Sequence, residues 1–183
     1  LDMLDLSAMS DMGKKLGCSS GVNRRSVSEL ALSFMIASLR NFPYCQKEIF
    51  AGRYRQIQGR ELSGRTVGII GCGNIGKDLV EMLKPFNCKI LVNDIVNYAE
   101  FYLKHNIQAV SKEELLSKAE LVTLHVPLDD STRRMIGKEE LKLMKPESVL
   151  INTARGNLVD EKALLEGLKA RQPGAAAFDV LAQ

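Results

Sequence analysis

Three glycines, one acid and one arginine carry most of the chemistry open to this chain. Gly71, Gly73 and Gly76 form Gly-x-Gly-x-x-Gly directly after a short apolar run (Val67, Ile69, Ile70) and before a stretch of helical periodicity. In that setting Gly71 permits a tight turn out of a strand, Gly73 lets backbone approach a pyrophosphate, and Gly76 lets helix and strand pack closely. The N–H groups of the first helical turn then face the phosphates. A second apolar run, Ile90 to Val92, ends near Asp94, 18 residues after Gly76. A carboxylate there accepts hydrogen bonds from both ribose hydroxyls of NAD and repels the 2′-phosphate of NADP. Ile95, Val96 and Asn97 supply no countercharge for such a phosphate. The spacing therefore predicts a β-turn-α-β unit that holds NAD.

Other polar residues fall where further apolar runs end: His125, Val126 and Pro127; Thr153, Ala154, Arg155 and Gly156; and Asp179. In an open parallel sheet ligands bind beyond the carboxyl ends of the strands, so these residues are expected to line one crevice. At that rim the Arg155 guanidinium offers a planar fork to a substrate carboxylate, or polarises a ketone. Taken alone, an arginine is more often half of a surface ion pair. His125 reads as a packing and hydrogen-bonding residue rather than a general base, His105 as a surface residue at a helix end, and Cys72 as the variable position of the glycine turn.

Those groups need a scaffold, and strand and helix signals alternate after Asp94 in the pattern of a doubly wound parallel sheet with helices on both faces, a three-layer α/β/α fold. Short helices are expected over residues 98–105 and 137–144, with strands over 107–110, 121–126, 149–152 and 175–180. Ser111 and Glu114 form a capping box, and Asp160 caps a helix running to about Arg171. Upstream, Ser26 and Glu29 form a capping box for a helix over residues 26–40 that is apolar nearly all round. Such a helix must be covered on more than one side. A second helix is expected over residues 44–54. Residues 1–25 read as a connector, with a small amphipathic stretch (Leu4, Leu6, Met9, Met12) and a Gly/Ser/Asn-rich segment, and residues 26–183 as the dinucleotide-binding domain.

A net charge of +3 with scattered lysines and arginines gives no reason to expect nucleic acid. Cys18, Cys45, Cys72 and Cys88 lie far apart with no Cys-x-x-Cys, which argues against a metal site or a disulfide framework and for a reducing cytoplasm. No apolar run approaches the ~20 residues of a membrane span, and the opening Leu1-Asp2-Met3-Leu4-Asp5 is too acidic for a signal peptide.

These residues resemble the D-isomer-specific 2-hydroxyacid dehydrogenases, a family that includes D-3-phosphoglycerate, D-lactate and glyoxylate/hydroxypyruvate dehydrogenases. The matching stretches are residues 22–29 with the following apolar helix, 66–76, Leu124-His125-Val126-Pro127-Leu128, and above all Ile151-Asn152-Thr153-Ala154-Arg155-Gly156-Asn157-Leu158-Val159-Asp160-Glu161. The resemblance implies the NAD domain of a two-domain oxidoreductase acting on a small 2-hydroxy or 2-keto acid. It implies that Asn74 and Ile75 present backbone to the pyrophosphate, and that His125, Val126 and Pro127 with Thr132 lie along the adenosine. Thr153, Ala154 and Asp179 would lie near the nicotinamide, and Arg155 would be the catalytic arginine. The apolar helix would form a homodimer interface. The family's catalytic Glu would fall one position past Gln183, with its His beyond, and Tyr54 stands where relatives often have Trp. An NAD-responsive corepressor or scaffold, or a phosphonate or formate dehydrogenase, would use the same fold.

Overall fold

Apolar runs of four or five residues, each ended by polar or small residues, pair into one parallel sheet. The computed structural model describes residues 4–182, so the first three residues of the acidic opening and Gln183 lie outside the described residues. The strands are β1 (Thr66–Ile70), β2 (Lys89–Asn93), β3 (Gln108–Ala109), β4 (Leu121–Leu124), β5 (Val149–Asn152) and β6 (Ala175–Phe178), in the order 3-2-1-4-5-6. β1 is central: Val67 lies opposite Ile90 of β2 on one side and Leu121 of β4 on the other.

Side chains alternate along each strand, and the two faces bury different helices. Val67, Ile69, Val92, Val149 and Ile151 face α2 (Arg24–Leu39), α4 (Asn74–Leu83) and α5 (Ala99–Lys104). Ile70, Leu91, Val122, Leu124 and Leu150 face α6 (Lys112–Lys118), α7 (Lys138–Leu143) and α8 (Glu161–Lys169). These are the three expected layers. Gly68 keeps the second face close, because a Cβ there would sit 2.4 Å from Leu115 Cδ2 on α6.

The Asp160 cap forms as expected, and of the box at Ser111 only the serine half, since the Glu114 carboxylate pairs with Lys118. Ser111 Oγ accepts from the Glu114 N–H at 3.1 Å, and Asp160 Oδ1 accepts from Lys162 and Ala163 at 3.0 and 3.1 Å. The expected capping box at Ser26 does not form, because α2 begins two residues earlier. The Arg24 N–H donates to the Gly21 carbonyl, carrying the preceding turn straight into the helix, and Arg25 reaches Asp78 on α4 at 3.0 Å. Ser26 is thus inside the first turn, and Asn23 is the cap residue. The next helix, α3 (Phe42–Phe50), also starts two residues before its expected position. Asn41 adopts a left-handed conformation (φ 53°) and Pro43 fits the first turn.

His105 ends α5 as expected but is not a surface residue. Its side chain is only 2% exposed, with Nε2 3.1 Å from Glu81 and the ring stacked 4.3 Å from Phe101. Burial holds its pKa below the usual histidine range.

α2 buries a single stripe, Ser28, Ala31, Met35 and Leu39, against α4, β5 and β6, and leaves Ile36 40% exposed. α3 buries no residue: Phe42, Ile49 and Phe50 stand 59%, 59% and 82% exposed. Tyr54 follows at 86%, so this chain offers it no packing. The helix at the start, α1 (Leu6–Asp11), is capped by Asp5 and likewise buries nothing.

Candidate functional site

The strand order reverses between β1 and β4, so the chain leaves these neighbouring strands in opposite directions and a crevice opens beyond their carboxyl ends. Gly71 turns out of β1 with φ +95°, and a Cβ there would fall 2.6 Å from the His125 carbonyl oxygen. Gly76 brings α4 against that turn: its Cβ would lie 2.3 Å from the Gly71 carbonyl oxygen. Gly73 is different. Its φ is −72°, and a Cβ there would meet nothing within 4 Å. Folding therefore places no steric demand for glycine at 73, and open space lies in front of it at the amino end of α4. Among the described residues no side chain caps that end. Uncapped backbone N–H groups behind an open cradle fit a pyrophosphate.

Asn74 and Ile75 open α4. Asn74 is exposed and its amide donates to Ser20 Oγ at 3.2 Å, while the Ile75 carbonyl accepts from Ser28 Oγ at 3.2 Å. The connector and α2 are thus tied to the first turn of the helix. Asp94 stands just past β2, with its carboxylate fixed from two sides by the Cys72 N–H at 2.5 Å and the Val96 N–H at 2.8 Å. The glycine turn itself orients the acid. Cys72 is fully buried, and burial, reinforced by Asp94, pushes its thiol up to about 11, so it is a packing residue and not a nucleophile.

Across the reversal, His125 follows β4. Its Nε2 lies 3.0 Å from Thr123 Oγ1, its Nδ1 is buried with no partner, and burial pushes its pKa down to about 4. A ring neutral near pH 7 suits the packing role read from the sequence. Val126 is half-buried and Pro127 exposed, and the Thr132 hydroxyl donates to the Pro127 carbonyl at 2.8 Å. That bond, with the Asp129 turn, knits the loop after β4 into one piece.

β5 ends in Asn152, fully buried, whose Oδ1 accepts from the Ala154 N–H at 3.0 Å while its Nδ2 donates to the Arg155 carbonyl at 2.8 Å. One side chain thereby shapes the loop that carries Thr153, Ala154 and Arg155. Thr153 is buried with Oγ1 unpartnered, and Arg155 is exposed, with Nη1 donating to the Ala154 carbonyl at 2.8 Å. Asp179, also exposed, follows β6, and its N–H donates to the Asn152 carbonyl at 3.0 Å. The glycine turn, Asp94 and the residues singled out after β4, β5 and β6 thus come to the carboxyl end of the sheet. Two buried polar atoms there, His125 Nδ1 and Thr153 Oγ1, have no hydrogen-bond partner among the described residues.

Sequence reasoning missed three supporting side chains. Ser28 is the one polar residue in the buried stripe of α2, a break in periodicity that marks a hydrogen bond. Asn152 is a polar end to a wholly buried strand. Lys77, after Gly76, has its ammonium 3.4 Å from the centre of the Tyr98 ring, and nothing in the local pattern announces that pair. A separate cleft of about 780 Å³ lies at the opposite end of the sheet, lined by Lys89, His105, Lys118 and Lys145, away from every residue of the crevice.

Comparison with known proteins agrees with this geometry. The chain is 37% identical over 183 residues to D-3-phosphoglycerate dehydrogenase of Methanocaldococcus jannaschii, covering 98% of this chain and 35% of that protein. Against hydroxypyruvate reductase of Thermotoga maritima it is 33% identical, covering 98% and 58%. Among solved structures, the pyruvate reductase of Chlamydomonas reinhardtii superposes with a TM-score of 0.90 at 34% identity, over 100% of this chain and 54% of that one. The chain therefore spans between about a third and six-tenths of the curated relatives it matches. Residues 32–183 match the family described as "D-isomer specific 2-hydroxyacid dehydrogenase, NAD binding domain". With that match over most of its length, and a six-stranded sheet whose glycine turn and acid fit NAD, the chain belongs to the D-isomer-specific 2-hydroxyacid dehydrogenases and forms their NAD-binding domain.

Proposed function

We propose that the protein containing this domain interconverts a D-2-hydroxy acid and the corresponding 2-keto acid. The observation that supports this most directly is the shared rim: the open cradle at Gly73 and the Arg155 loop both lie at the carboxyl end of one sheet. NAD, when bound, supplies or accepts the hydride. In this reading the amides of Asn74, Ile75 and Gly76 hold the pyrophosphate, and Asp94 accepts from the adenosine ribose. His125, Val126, Pro127 and Thr132 border the adenosine. Thr153, Ala154 and Asp179 border the nicotinamide. Arg155 holds the substrate carboxylate and polarises its carbonyl, a charge-assisted, planar contact that lysine would not reproduce. Cofactor contacts and substrate contact thus come from different strand ends.

Residues 1–25 belong, in the same reading, to a connector into a separate substrate domain, which accords with the share of the relatives that this chain spans. A homodimer built on α2 and α3 in the cytoplasm accounts for Ile36, Phe42 and Phe50 standing exposed on these two helices. The names of the relatives, dehydrogenases and reductases, do not favour a corepressor.

The test uses the full-length protein. Turnover with glyoxylate, hydroxypyruvate, pyruvate and 3-phosphohydroxypyruvate, followed as NADH absorbance, should find at least one substrate. Arg155→Ala should then lower kcat/KM by at least 10²-fold while NADH affinity changes little. The 183-residue chain alone should bind NADH without appreciable turnover. Loss of NADH binding and turnover together in Arg155→Ala would contradict the assignment.

A further inference from the structure

The segment leaving β6 is seated against the Arg155 loop. The Asp179 N–H extends the β5 ladder by bonding the Asn152 carbonyl, and residues 181 and 182 then cross directly over Gly156. A Cβ at Gly156 would fall 2.0 Å from the Leu181 carbonyl carbon and 2.3 Å from the Ala182 nitrogen. Gly156 is not among the glycines with positive φ, so this crossing, rather than backbone conformation, demands glycine. At the far side of the crossing the Ala182 N–H donates to Glu161 Oε1 at 2.6 Å. Glu161 is the first residue of α8, so the bond ties the β6 exit to the amino end of that helix.

We propose that Glu161 is a positioning residue. Its carboxylate latches the β6 exit onto Gly156 and so fixes Asp179 and the chain after it relative to Arg155. Gly156 lets the exit lie flat; Glu161 keeps it there. This rests on the reading of Arg155 as the substrate-holding group, and a displacement of about 1 Å between groups that must act together can cost on the order of 10²-fold in rate.

The experiment compares Glu161→Ala, Glu161→Gln and Gly156→Ala in the full-length protein. Amide exchange across residues 179–182, followed by mass spectrometry, should rise about tenfold or more in Glu161→Ala and Gly156→Ala. It should stay within about threefold of wild type in Glu161→Gln, which keeps an acceptor oxygen. kcat should fall about 10- to 100-fold in Glu161→Ala with the KM for NADH within about twofold, and Glu161→Gln should recover most of it. Unchanged exchange in Glu161→Ala overturns the latch whatever the activity. Faster exchange with unchanged kcat overturns the positioning role. A wild-type protein that turns over none of the acids refutes the reading of Arg155 and the positioning role with it, while exchange still decides the latch.

Discussion

Gly73 and Gly76 belong to the same turn, yet they should fail in opposite ways when given a methyl group. At Gly76 the added Cβ would sit 2.3 Å from the Gly71 carbonyl oxygen and 3.3 Å from Ile69 Cγ2, backbone and core that cannot step aside. Overpacking of that kind costs about 1–3 kcal/mol. In a domain of this size each kcal/mol is about 2–4 °C, so Gly76→Ala should melt roughly 2–12 °C lower. At Gly73 the φ of −72° suits alanine and the methyl meets no protein atom within 4 Å. Stability should move by less than about 1 kcal/mol. The methyl would instead occupy the space proposed for the pyrophosphate and push it from the α4 amides. Losing one or two hydrogen bonds to a charged group, about 1.5–3 kcal/mol each, weakens NADH roughly 10- to 10⁴-fold. Thermal melts and NADH fluorescence titrations of both variants give the four numbers needed. A Gly73→Ala protein that binds NADH normally, or loses as much stability as Gly76→Ala, would refute the claim that a ligand and not the fold demands this glycine.

Three further outcomes follow from other parts of the domain. Asp94→Ala removes the carboxylate that faces a 2′-phosphate, so the preference for NADH over NADPH should shrink by about tenfold or more in paired titrations. Asp at Ile36 or Phe50, exposed on α2 and α3, should shift the protein to a smaller species by light scattering, and a monomeric wild type would count against the dimer. His125 has a folded pKa of about 4 against 6.5 unfolded, so only the unfolded chain takes up its proton between those values. Its neutral ring contributes stability that is complete above pH ~6.5 and is lost as pH falls toward 4, up to about 3 kcal/mol. Urea melts from pH 7 to 4.5 should show a shallower loss in His125→Gln than in wild type.

The crevice was legible in the sequence because its residues sit at strand ends, and strand ends are marked by abrupt loss of hydrophobicity. Val149–Asn152 was read to the residue, since a run buried on both faces has no polar position inside it to blur its limits. α2 was misplaced at its start because a capping box is a local pattern, and the actual start is decided by the turn at Gly21 and the distant Asp78. His105 misled for a similar reason. A histidine after a short helix looks exposed until Glu81, 24 positions earlier, supplies the partner that lets it be buried. Lys77 over Tyr98 and Glu161 on Ala182 are equally invisible to pattern, as each joins residues about 20 positions apart that only the fold brings together.

The packing of α2 against β5 and β6 has a consequence for how the protein is made. α2 ends at Leu39, but part of the sheet it covers begins only at Val149 and is finished by Phe178. On a ribosome adding about 5–20 residues per second, the apolar stripe of α2 emerges roughly 5 to 30 seconds before the last strands that shelter it. Through that interval Ala31, Met35 and Leu39 have no completed surface to lie on, and α3 beside them exposes Phe42, Ile49 and Phe50 even in the finished fold. Nascent chains stalled before residue 149 should therefore be the most sticky form this polypeptide adopts, and the form that depends most on chaperones during synthesis.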